Sequence, residues 1–317
     1  MRTLITGGSG YIGSRLVEML AARDEVERIV VADVNPPRFF LPKVQYERLD
    51  VRDGAACREI IARCAPDTLV HLAFILNPIH DEGLMYEVDV NGTSNVLEAA
   101  GDAGTEHVLV TSSTTAYGAW PDNPVPISED WPVRGVPDYA YARDKAEADR
   151  LCQLWDLRHP ERTMTIVRPC IVFGPNVDNY LVRFWTKQPF QADTGNLDVP
   201  FQFVHEEDVV DAISGLLIGK HGGAFNVTAD GLLSLRECAE LADLPTRRIP
   251  KRAYHGLARA MWAARASEAP PGQLRFAEQP WVASNEKVKE TLGWQPKYSS
   301  RETFEATMRA HKGTAAA

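Results

Sequence analysis

Short apolar runs alternate with longer amphipathic segments along the first half of the chain. Runs of aliphatic and β-branched residues predict strands over residues 2–6, 28–33, 44–49, 68–74, 107–113 and 164–169. Apolar residues at helical spacing predict helices that begin near residue 11 and that cover 55–64, 87–100 and 139–155. Strands that alternate with helices of about ten or more residues are typical of βαβ units. The pattern therefore predicts an α/β fold with a parallel sheet covered on both faces.

This rhythm ends after Pro175, where the segments become short and irregular and are interrupted by prolines. We expect a Rossmann-type, doubly wound domain over residues 1–174 and a smaller, mixed α/β substrate-binding lobe over residues 175–317. This prediction allows some segments of residues 175–317 to fold back onto the first domain. The smaller lobe should cover the carboxyl ends of the sheet, where open α/β folds bind their ligands.

Composition and charge exclude several classes of function. The 317 residues include 34 basic and 43 acidic side chains, a net charge of −9, which argues against a nucleic-acid partner. No apolar run approaches the roughly 20 residues that cross a bilayer, so no membrane partner is expected. Five scattered cysteines without a C-x-x-C pair fit reduced thiols and a cytoplasmic protein. No Cys or carboxylate stands at ligand spacing to His71 or His205, so no metal site is predicted.

A glycine-rich turn follows the first predicted strand and opens the first helix. Its glycines follow the spacing G-x-x-G-x-x-G. Such glycines let the backbone turn tightly and approach a pyrophosphate, while the helix N-terminus stabilises the negative charge. A bare structural turn is the alternative, but the strand before and the helix after it favour a dinucleotide site. The turn residues predicted to bind the cofactor are Gly7, Gly10, Tyr11, Ile12 and Gly13.

Asp33 ends the second predicted strand, 20 residues after Gly13. A carboxylate at this distance suits the ribose hydroxyls of adenosine and repels a 2′-phosphate, so NAD is favoured over NADP. Arg38 argues the other way, but the preceding Pro36 and Pro37 are expected to direct it elsewhere.

Tyr141 and Lys145 stand at i and i+4 and therefore share one helical face. The lysine cation and a positive nicotinamide ring would both lower the pKa of the phenol from its ordinary value near 10. The alternative is an exposed helix with a solvated lysine. Ser112 and Ser113 favour the catalytic interpretation, because they place hydroxyl groups at the carboxyl edge of the same sheet.

The sequence resembles the extended short-chain dehydrogenase/reductase family, in particular its nucleotide-sugar epimerase and dehydratase branch, over nearly the whole chain. The motifs that carry the resemblance are TGGSGYIG (6–13), DVRD (50–53), HLAF (71–74), NGTSNVLEAA (91–100), TSSTTAYG (111–118), YARDK (141–145), RPCIVFGP (168–175), FVHEEDVV (203–210) and LGWQP (292–296).

The resemblance implies a role for each matching residue. Ser113 would bind the reacting oxygen, Tyr141 would be the acid/base, and Lys145 would hold the nicotinamide ribose. The remaining contacts would follow the length of the cofactor. Asp50 and Val51 would contact the adenine, and Pro169 and Val172 would contact the nicotinamide. Between them, Leu72, Ala73 and Phe74 would line the pyrophosphate and ribose, with Asn91 near the same wall. For Leu72, Ala73 and Val172, a place in the sheet core is an equal alternative. The resemblance also implies a homodimer formed through helices 87–100 and 139–155.

Departures from the family pattern bear on the substrate. Thr114 and Thr115 replace the Asp-Glu pair of the dehydratases and cannot supply an acid and a base, so dehydration is disfavoured. Phe201 replaces an arginine that would bind the sugar-linked diphosphate, which removes a strong charge-assisted contact. Ile171 replaces an asparagine. Arg183 is one candidate to substitute for the missing arginine.

Three functions remain open. The first choice is a nucleotide-sugar epimerase that acts on a secondary alcohol with NAD. The second is an NAD-dependent dehydrogenase or reductase of a less polar, non-nucleotide alcohol or ketone. A non-catalytic dinucleotide sensor is disfavoured, because Tyr141 and Lys145 are both retained.

Two stretches of the second half also leave alternatives. The aromatic residues Phe184, Trp185, Phe190 and Phe201 form either an apolar substrate wall or, as is more common, core. Residues 257–266 are amphipathic and have the basic neighbours Arg247, Arg248, Lys251 and Arg252. A membrane-surface role is one hypothesis for this stretch, and a solvated helix face is favoured.

Overall fold

The structure, a computed structural model, describes residues 1–313. Its strands are β1 (Arg2–Thr6), β2 (Arg28–Asp33), β3 (Val44–Arg48), β4 (Thr68–His71), β5 (His107–Thr111), β6 (Thr163–Pro169), β7 (Ile171–Phe173), β8 (Gln191–Asp193), β9 (Pro200–Phe201), β10 (Phe203–His205), β11 (Gly223–Val227), β12 (Leu233–Ser234) and β13 (Thr246–Arg248). Its α-helices are α1 (Tyr11–Ala21), α2 (Gly54–Cys64), α3 (Glu82–Tyr86), α4 (Gly92–Asp102), α5 (Ala140–Arg158), α6 (Tyr180–Lys187), α7 (Glu206–Ile218), α8 (Leu235–Leu241), α9 (Lys251–Ala263), α10 (Glu286–Leu292) and α11 (Ser300–Gly313).

Seven parallel strands form the central sheet in the order β11-β6-β5-β4-β1-β2-β3. The chain runs outward from β1 in one direction to β3 and then in the other direction from β4. This reversal between β1 and β4 is the switch point at which doubly wound folds open a ligand crevice. The predicted Rossmann-type α/β sheet is therefore confirmed.

Both faces of the sheet are buried, as a parallel sheet requires. On one face Leu16, Leu20, Val209 and Ile213 of α1 and α7 pack against the strands. On the other face the apolar sides of α2, α4 and α5 do the same, and Trp155 of α5 lies among them. The site-bearing ends of the strands are therefore held between two rigid layers.

Helix 87–100 of the sequence prediction begins earlier in the structure and is not uniform. The helical path starts with α3, passes through a π-helical turn at Glu87–Asn91, and continues as α4. Such π turns insert a residue into the α-helical ladder and often occur at functional sites. The periodicity of the sequence predicts the helix but carries no sign of this turn.

Two elements from the second half of the chain lie on the central sheet. Strand β11 pairs with β6, and α7 packs against α1. Both segments therefore contribute to the central, sheet-containing part of the protein. The boundary at residue 174 stays a prediction.

The smaller lobe contains the short pairs β8–β13 and β9–β12 and a core rich in aromatic side chains. Trp185 and Phe201 are buried in this core, where their rings meet nearly at right angles. Of the two alternatives left by the sequence, core packing therefore holds for Trp185 and Phe201. Within residues 1–313, no helix is both long and apolar enough to span a bilayer.

Candidate active site

The turn between β1 and α1 accepts only glycine at two points. Gly7 has a φ of +72°, and a Cβ on it would lie 2.5 Å from the backbone nitrogen of Ala73. A Cβ on Gly13 would lie 2.3 Å from the carbonyl oxygen of Gly7. The turn is therefore pressed against the segment after β4, and α1 begins directly behind it. A backbone this close to a helix N-terminus fits the pyrophosphate of a dinucleotide.

Asp33 lies at the carboxyl end of β2, beside this turn. Its Oδ2 accepts a hydrogen bond of 3.0 Å from the Ser9 nitrogen, and its Oδ1 accepts one of 2.9 Å from the Asn35 nitrogen. The two bonds fix the carboxylate next to the turn, in the position from which it would bind ribose hydroxyls.

Arg38 lies closer to this position than expected. Its Nε donates to the carbonyl oxygen of Ser9 at 3.2 Å. The expectation that Pro36 and Pro37 direct Arg38 elsewhere is wrong, because the chain folds back after the second proline far enough for the long side chain to reach the turn.

The other predicted cofactor residues surround the same edge of the sheet. Asp50 accepts hydrogen bonds from Arg52, which hold the pKa of the carboxyl below its ordinary value. The carbonyl oxygen of Val51 accepts from Asn95 at 2.9 Å. Leu72, Ala73 and Phe74 follow β4, Asn91 is half-buried at the end of the π turn, Pro169 ends β6, and Val172 lies in β7 opposite Val204.

Two turn residues point to different partners. Ile12 packs against the core on the α1 side of the sheet. The Tyr11 hydroxyl donates to the carboxylate of Glu206, which also accepts from Asn176 at 2.6 Å and pairs with Arg15 at 3.2 Å. Glu206 is buried at the start of α7, and sequence reasoning missed it. The cluster ties the glycine turn to a helix encoded almost 200 residues later.

Tyr141 lies in the first turn of α5 and is held between aromatic neighbours. The Phe74 ring meets it edge-on with centroids 5.7 Å apart, and the Tyr139 ring lies 6.0 Å away. Burial raises the pKa of the Tyr141 phenol, and Tyr180 and Asp89 raise it further, while a hydrogen bond with Ser113 lowers it. The sequence analysis expected Lys145 to lower this pKa. In the protein without cofactor, burial has the larger effect, and the pKa of Tyr141 is raised.

Ser113 lies beside Tyr141 at the end of β5. Its hydroxyl donates to the carbonyl oxygen of Pro169 at 3.4 Å and accepts from the Thr115 nitrogen at 3.2 Å. Next to it, the hydroxyl groups of Ser112, Thr114 and Thr115 are buried without a hydrogen-bond partner among residues 1–313. The site therefore presents hydroxyl groups where a dehydratase would present carboxylates.

Lys145 is buried one turn further along α5. Its Nζ donates to the Thr111 carbonyl oxygen at 2.7 Å, and it lies 3.5 Å from the Phe74 ring centroid and 5.9 Å from that of Tyr141. Burial lowers the pKa of the ammonium group, and the negative charge of Asp89 opposes this shift. The structure thus brings Ser113, Tyr141 and Lys145 together at one end of β5.

Asp89 is a buried carboxylate that sequence reasoning missed. It lies in the π turn, where its Oδ1 accepts a hydrogen bond of 2.8 Å from the Ile75 nitrogen. Its Oδ2 has no hydrogen-bond partner within the described part of the chain. Burial raises the pKa of this carboxyl to about 8. The one available signal was an acid between two valines, Val88 and Val90, within the predicted helix 87–100.

Tyr180, at the start of α6, is a second missed residue near Tyr141. Its hydroxyl shares a 2.6 Å hydrogen bond with that of Tyr139, and both rings are buried. Through this bond, the start of α6 is held next to the start of α5, which carries Tyr141.

His71 is fully bonded within the sheet edge. Its Nδ1 lies 2.6 Å from the Thr6 hydroxyl and its Nε2 lies 3.0 Å from that of Thr93. Since Thr93 donates its own proton to the Asp89 carbonyl oxygen, Nε2 carries the hydrogen and Nδ1 accepts from Thr6. Burial lowers the pKa of the ring to about 3, so the ring is neutral. The structural role that the sequence favoured is the one observed, and residues 1–313 contain no cluster of potential metal ligands.

A model of the NAD dependent epimerase/dehydratase family matches residues 3–228. The chain belongs to this family. Membership confirms the resemblance drawn from the motifs, the enzymatic nature of the protein and its cofactor, NAD. The glycine turn and Asp33 fit that cofactor, since the turn leaves no room for a side chain where the backbone must approach a pyrophosphate.

Of three proteins similar to this chain, two align over nearly its whole length and one over about half of it. A UDP-glucose 4-epimerase of Mycolicibacterium smegmatis is 28% identical over 333 residues, 97% of each protein. An N-acetyl-α-D-glucosaminyl-diphospho-ditrans,octacis-undecaprenol 4-epimerase of Escherichia coli O157:H7 is 33% identical over 173 residues, 54% of this chain and 49% of that enzyme. The crystal structure of Thermus thermophilus UDP-glucose 4-epimerase with NAD matches with a TM-score of 0.76 at 25% identity, over 99% of both chains.

Proposed function

We propose that the protein is a nucleotide-sugar epimerase-like enzyme that oxidises and re-reduces a secondary alcohol. NAD, which the glycine turn and Asp33 would hold, would supply the hydride acceptor and donor for this chemistry. Tyr141 removes the proton of the substrate hydroxyl, and Ser113 donates a hydrogen bond to the oxygen as negative charge develops on it. Lys145 places a cation beside the phenol and favours its ionised form.

The observation that carries the proposal is the meeting of three side chains at one edge of the sheet. Ser113 is close enough to Tyr141 to lower the pKa of its phenol, and Lys145 Nζ lies 5.9 Å from the centroid of the Tyr141 ring. All three lie beyond the carboxyl end of β5, on the side of the glycine turn. The cofactor-binding set of the sequence analysis, from Gly7 to Val172, is part of the same proposal.

The second candidate is a dehydrogenase or reductase of a less polar alcohol. It is favoured by Phe201, which is buried in the aromatic core where related enzymes carry a phosphate-binding arginine, and by Ile171. Arg183, the candidate to replace that arginine, is paired with Asp178 and Glu268 at 2.9 and 2.7 Å. A diphosphate would have to displace one of these carboxylates.

Cofactor retention separates the two candidates. The purified protein is denatured and the released nucleotide is identified, and the native protein is then incubated with a panel of nucleotide sugars. An epimerase keeps NAD bound and interconverts two sugars with no net change in NADH absorbance. Exchangeable NAD, consumed in proportion to product, would instead establish the dehydrogenase. In either case Tyr141→Phe should abolish most of the turnover, and an unchanged rate would contradict both.

We also propose that the enzyme is a cytoplasmic homodimer. The outer face of α5 carries Leu154 and Leu157, which are 47% and 77% exposed in the single chain. A helix of a second copy packed on this face would bury both leucines.

A further inference from the structure

The segment that contains α9 has a charge opposite to that of the protein. Between residues 245 and 267 it carries six cationic side chains and no carboxylate, whereas the chain as a whole has a net charge of −9. The six cations are Arg247, Arg248, Lys251, Arg252, Arg259 and Arg265. None of the residues of α9 is buried, so the helix lies on the surface of the smaller lobe.

One side of α9 is attached to the rest of the protein. The Trp262 ring stacks on the His80 ring with centroids 3.9 Å apart. Lys251 and His255 both contact Glu278, at 2.8 and 2.6 Å. These residues recur at i, i+4 and i+11, which places them on a single face. That face fixes the orientation of the helix on the lobe.

The exposed surface of α9 carries a cationic stripe on one flank and an apolar stripe on the other. Arg252 and Arg259 are seven residues apart and share a face, and Arg265 follows the helix. No ion pair to any of these three arginines occurs among residues 1–313, although most other arginines of the chain are paired. On the other flank of the helix, Leu257 and Met261 are four residues apart and are 53% and 39% exposed. Ala253 and Ala260 are exposed on the surface between the two stripes.

We propose that α9 docks the protein on an anionic lipid bilayer, lying in the plane of the interface. Arg252, Arg259 and Arg265 would bind lipid phosphates, while Leu257 and Met261 would enter the boundary between headgroups and acyl chains. An exposed apolar stripe with unpaired cations on the other flank of the same helix is the pattern of interfacial helices. A free polyanion would be bound by the arginines alone and would leave the apolar stripe unexplained.

Charge complementarity fixes the orientation of the docked protein. The net negative charge of the chain is repelled by an anionic surface, so that only the α9 side can approach it. Through Trp262, α9 rests on His80 in the loop that continues from Phe74 at the active site. Docking would therefore set the mouth of the cleft near the membrane. The proposal revises the expectation of no membrane partner and does not depend on the proposed reaction.

Co-sedimentation with vesicles tests the docking directly. The full-length protein is mixed with vesicles of phosphatidylcholine alone, or of phosphatidylcholine with phosphatidylglycerol. We expect binding to the anionic vesicles only, and weaker binding as salt is raised. Arg252→Glu combined with Arg259→Glu should lower the partition coefficient by about tenfold or more. The matched control, Arg58→Glu with Arg309→Glu, makes the same charge change on the exposed faces of α2 and α11 and should bind like the wild type.

A second variant distinguishes the lipid surface from other occupants. Leu257→Gln with Met261→Gln should weaken vesicle binding while leaving binding of inorganic polyphosphate unchanged. The proposal is overturned by equal binding to both vesicle types, by no binding, or by an equal loss in the control variant. It is also overturned if the glutamine variant binds vesicles normally and polyphosphate competes fully, which would indicate a phosphate site. An α9-dependent dimer in gel filtration without vesicle binding would indicate a second copy of the chain instead.

Discussion

Arg168 and Asp149 form a two-pronged ion pair in which Nε and Nη2 of the arginine each lie 2.8 Å from a carboxylate oxygen. Both side chains are buried, and Arg168 also donates to the Tyr117 hydroxyl and the Glu129 carbonyl oxygen. The pair joins β6 to α5, the helix that carries Tyr141. The position of the phenol at the sheet edge therefore depends on an interaction two turns away from it.

Removing Asp149 should destabilise the protein strongly. Asp149→Ala leaves a buried guanidinium without its carboxylate, which costs about 3–5 kcal/mol of unfolding free energy. Urea denaturation measures this loss. Glu147→Ala on the same helix removes a partly exposed carboxylate paired with Arg150 and should cost less than about 1 kcal/mol. Equal effects of the two substitutions would show that Arg168 does not depend on Asp149.

The ionisation of Tyr141 should respond to the cofactor. In the protein alone, burial raises the pKa of its phenol, so the group should ionise above the ordinary value of about 10. A positive nicotinamide ring favours the phenolate, so NAD should lower this pKa. The measurement is the ultraviolet absorbance of tyrosinate against pH, as the difference between wild type and Tyr141→Phe. A Tyr141 signal that is the same with and without NAD would contradict the proposed role.

Asp33 should set the preference for NAD over NADP. Its fixed carboxylate repels a 2′-phosphate, so Asp33→Ala should reduce the ratio of NAD to NADP affinity by about tenfold or more, or 1.4 kcal/mol. Arg38 lies at the same turn and should then bind the phosphate, so adding Arg38→Ala to this variant should weaken NADP binding again. Calorimetric titration with both cofactors measures the ratios. An unaltered ratio in Asp33→Ala would place the ribose elsewhere.

If the protein is a dimer, one substitution at the proposed interface should halve its mass in solution. Leu157→Glu introduces a charge at the exposed face of α5 and should yield a monomer by light scattering. Leu232→Glu changes an exposed leucine on the smaller lobe, 47% exposed against 77% for Leu157, and should leave the mass unchanged. A wild type that is monomeric at all concentrations would refute the dimer.

The sequence predicts the central sheet well because the patterns that specify it lie within short stretches of the chain. Strand and helix periods, the spacing from Gly13 to Asp33 and that from Tyr141 to Lys145 all lie within short windows. Residues whose role depends on distant partners were missed. Glu206 contacts Tyr11 across 195 positions, and β11 joins the sheet because β6 offers it a free edge.

Asp89 shows the same limit at the site itself. Its neighbours Ile75 and Lys145 come from other elements, and the π turn that turns its side chain inward leaves no mark on the hydrophobic period. The electrostatic interaction of this carboxylate with Lys145 became visible only in three dimensions.

Asp89 should also make the stability of the protein depend on pH. Its pKa is raised from an ordinary value near 4 to about 8 by burial, so the folded state binds more protons than the unfolded state between these values. The contribution of Asp89 to stability is therefore fully present below about pH 4 and is lost as pH rises toward 8. Asp89→Asn keeps an oxygen to accept from the Ile75 nitrogen but cannot ionise. As pH rises across this window, the free energy of unfolding of Asp89→Asn should increase relative to that of the wild type, by at most about 1.4 kcal/mol per pH unit.

Urea denaturation at several pH values between 4 and 8 measures the two stability curves. Glu87→Gln is the control, because Glu87 is an exposed carboxyl on the same π turn and its removal should leave the curve parallel to that of the wild type. Since Lys145 faces Asp89, the aspartate charge also raises the pKa of that ammonium group, and Asp89→Asn should lower it. Parallel curves for Asp89→Asn and the wild type would mean that Asp89 is ionised at its ordinary pKa, with Lys145 as a full counter-charge in the folded protein.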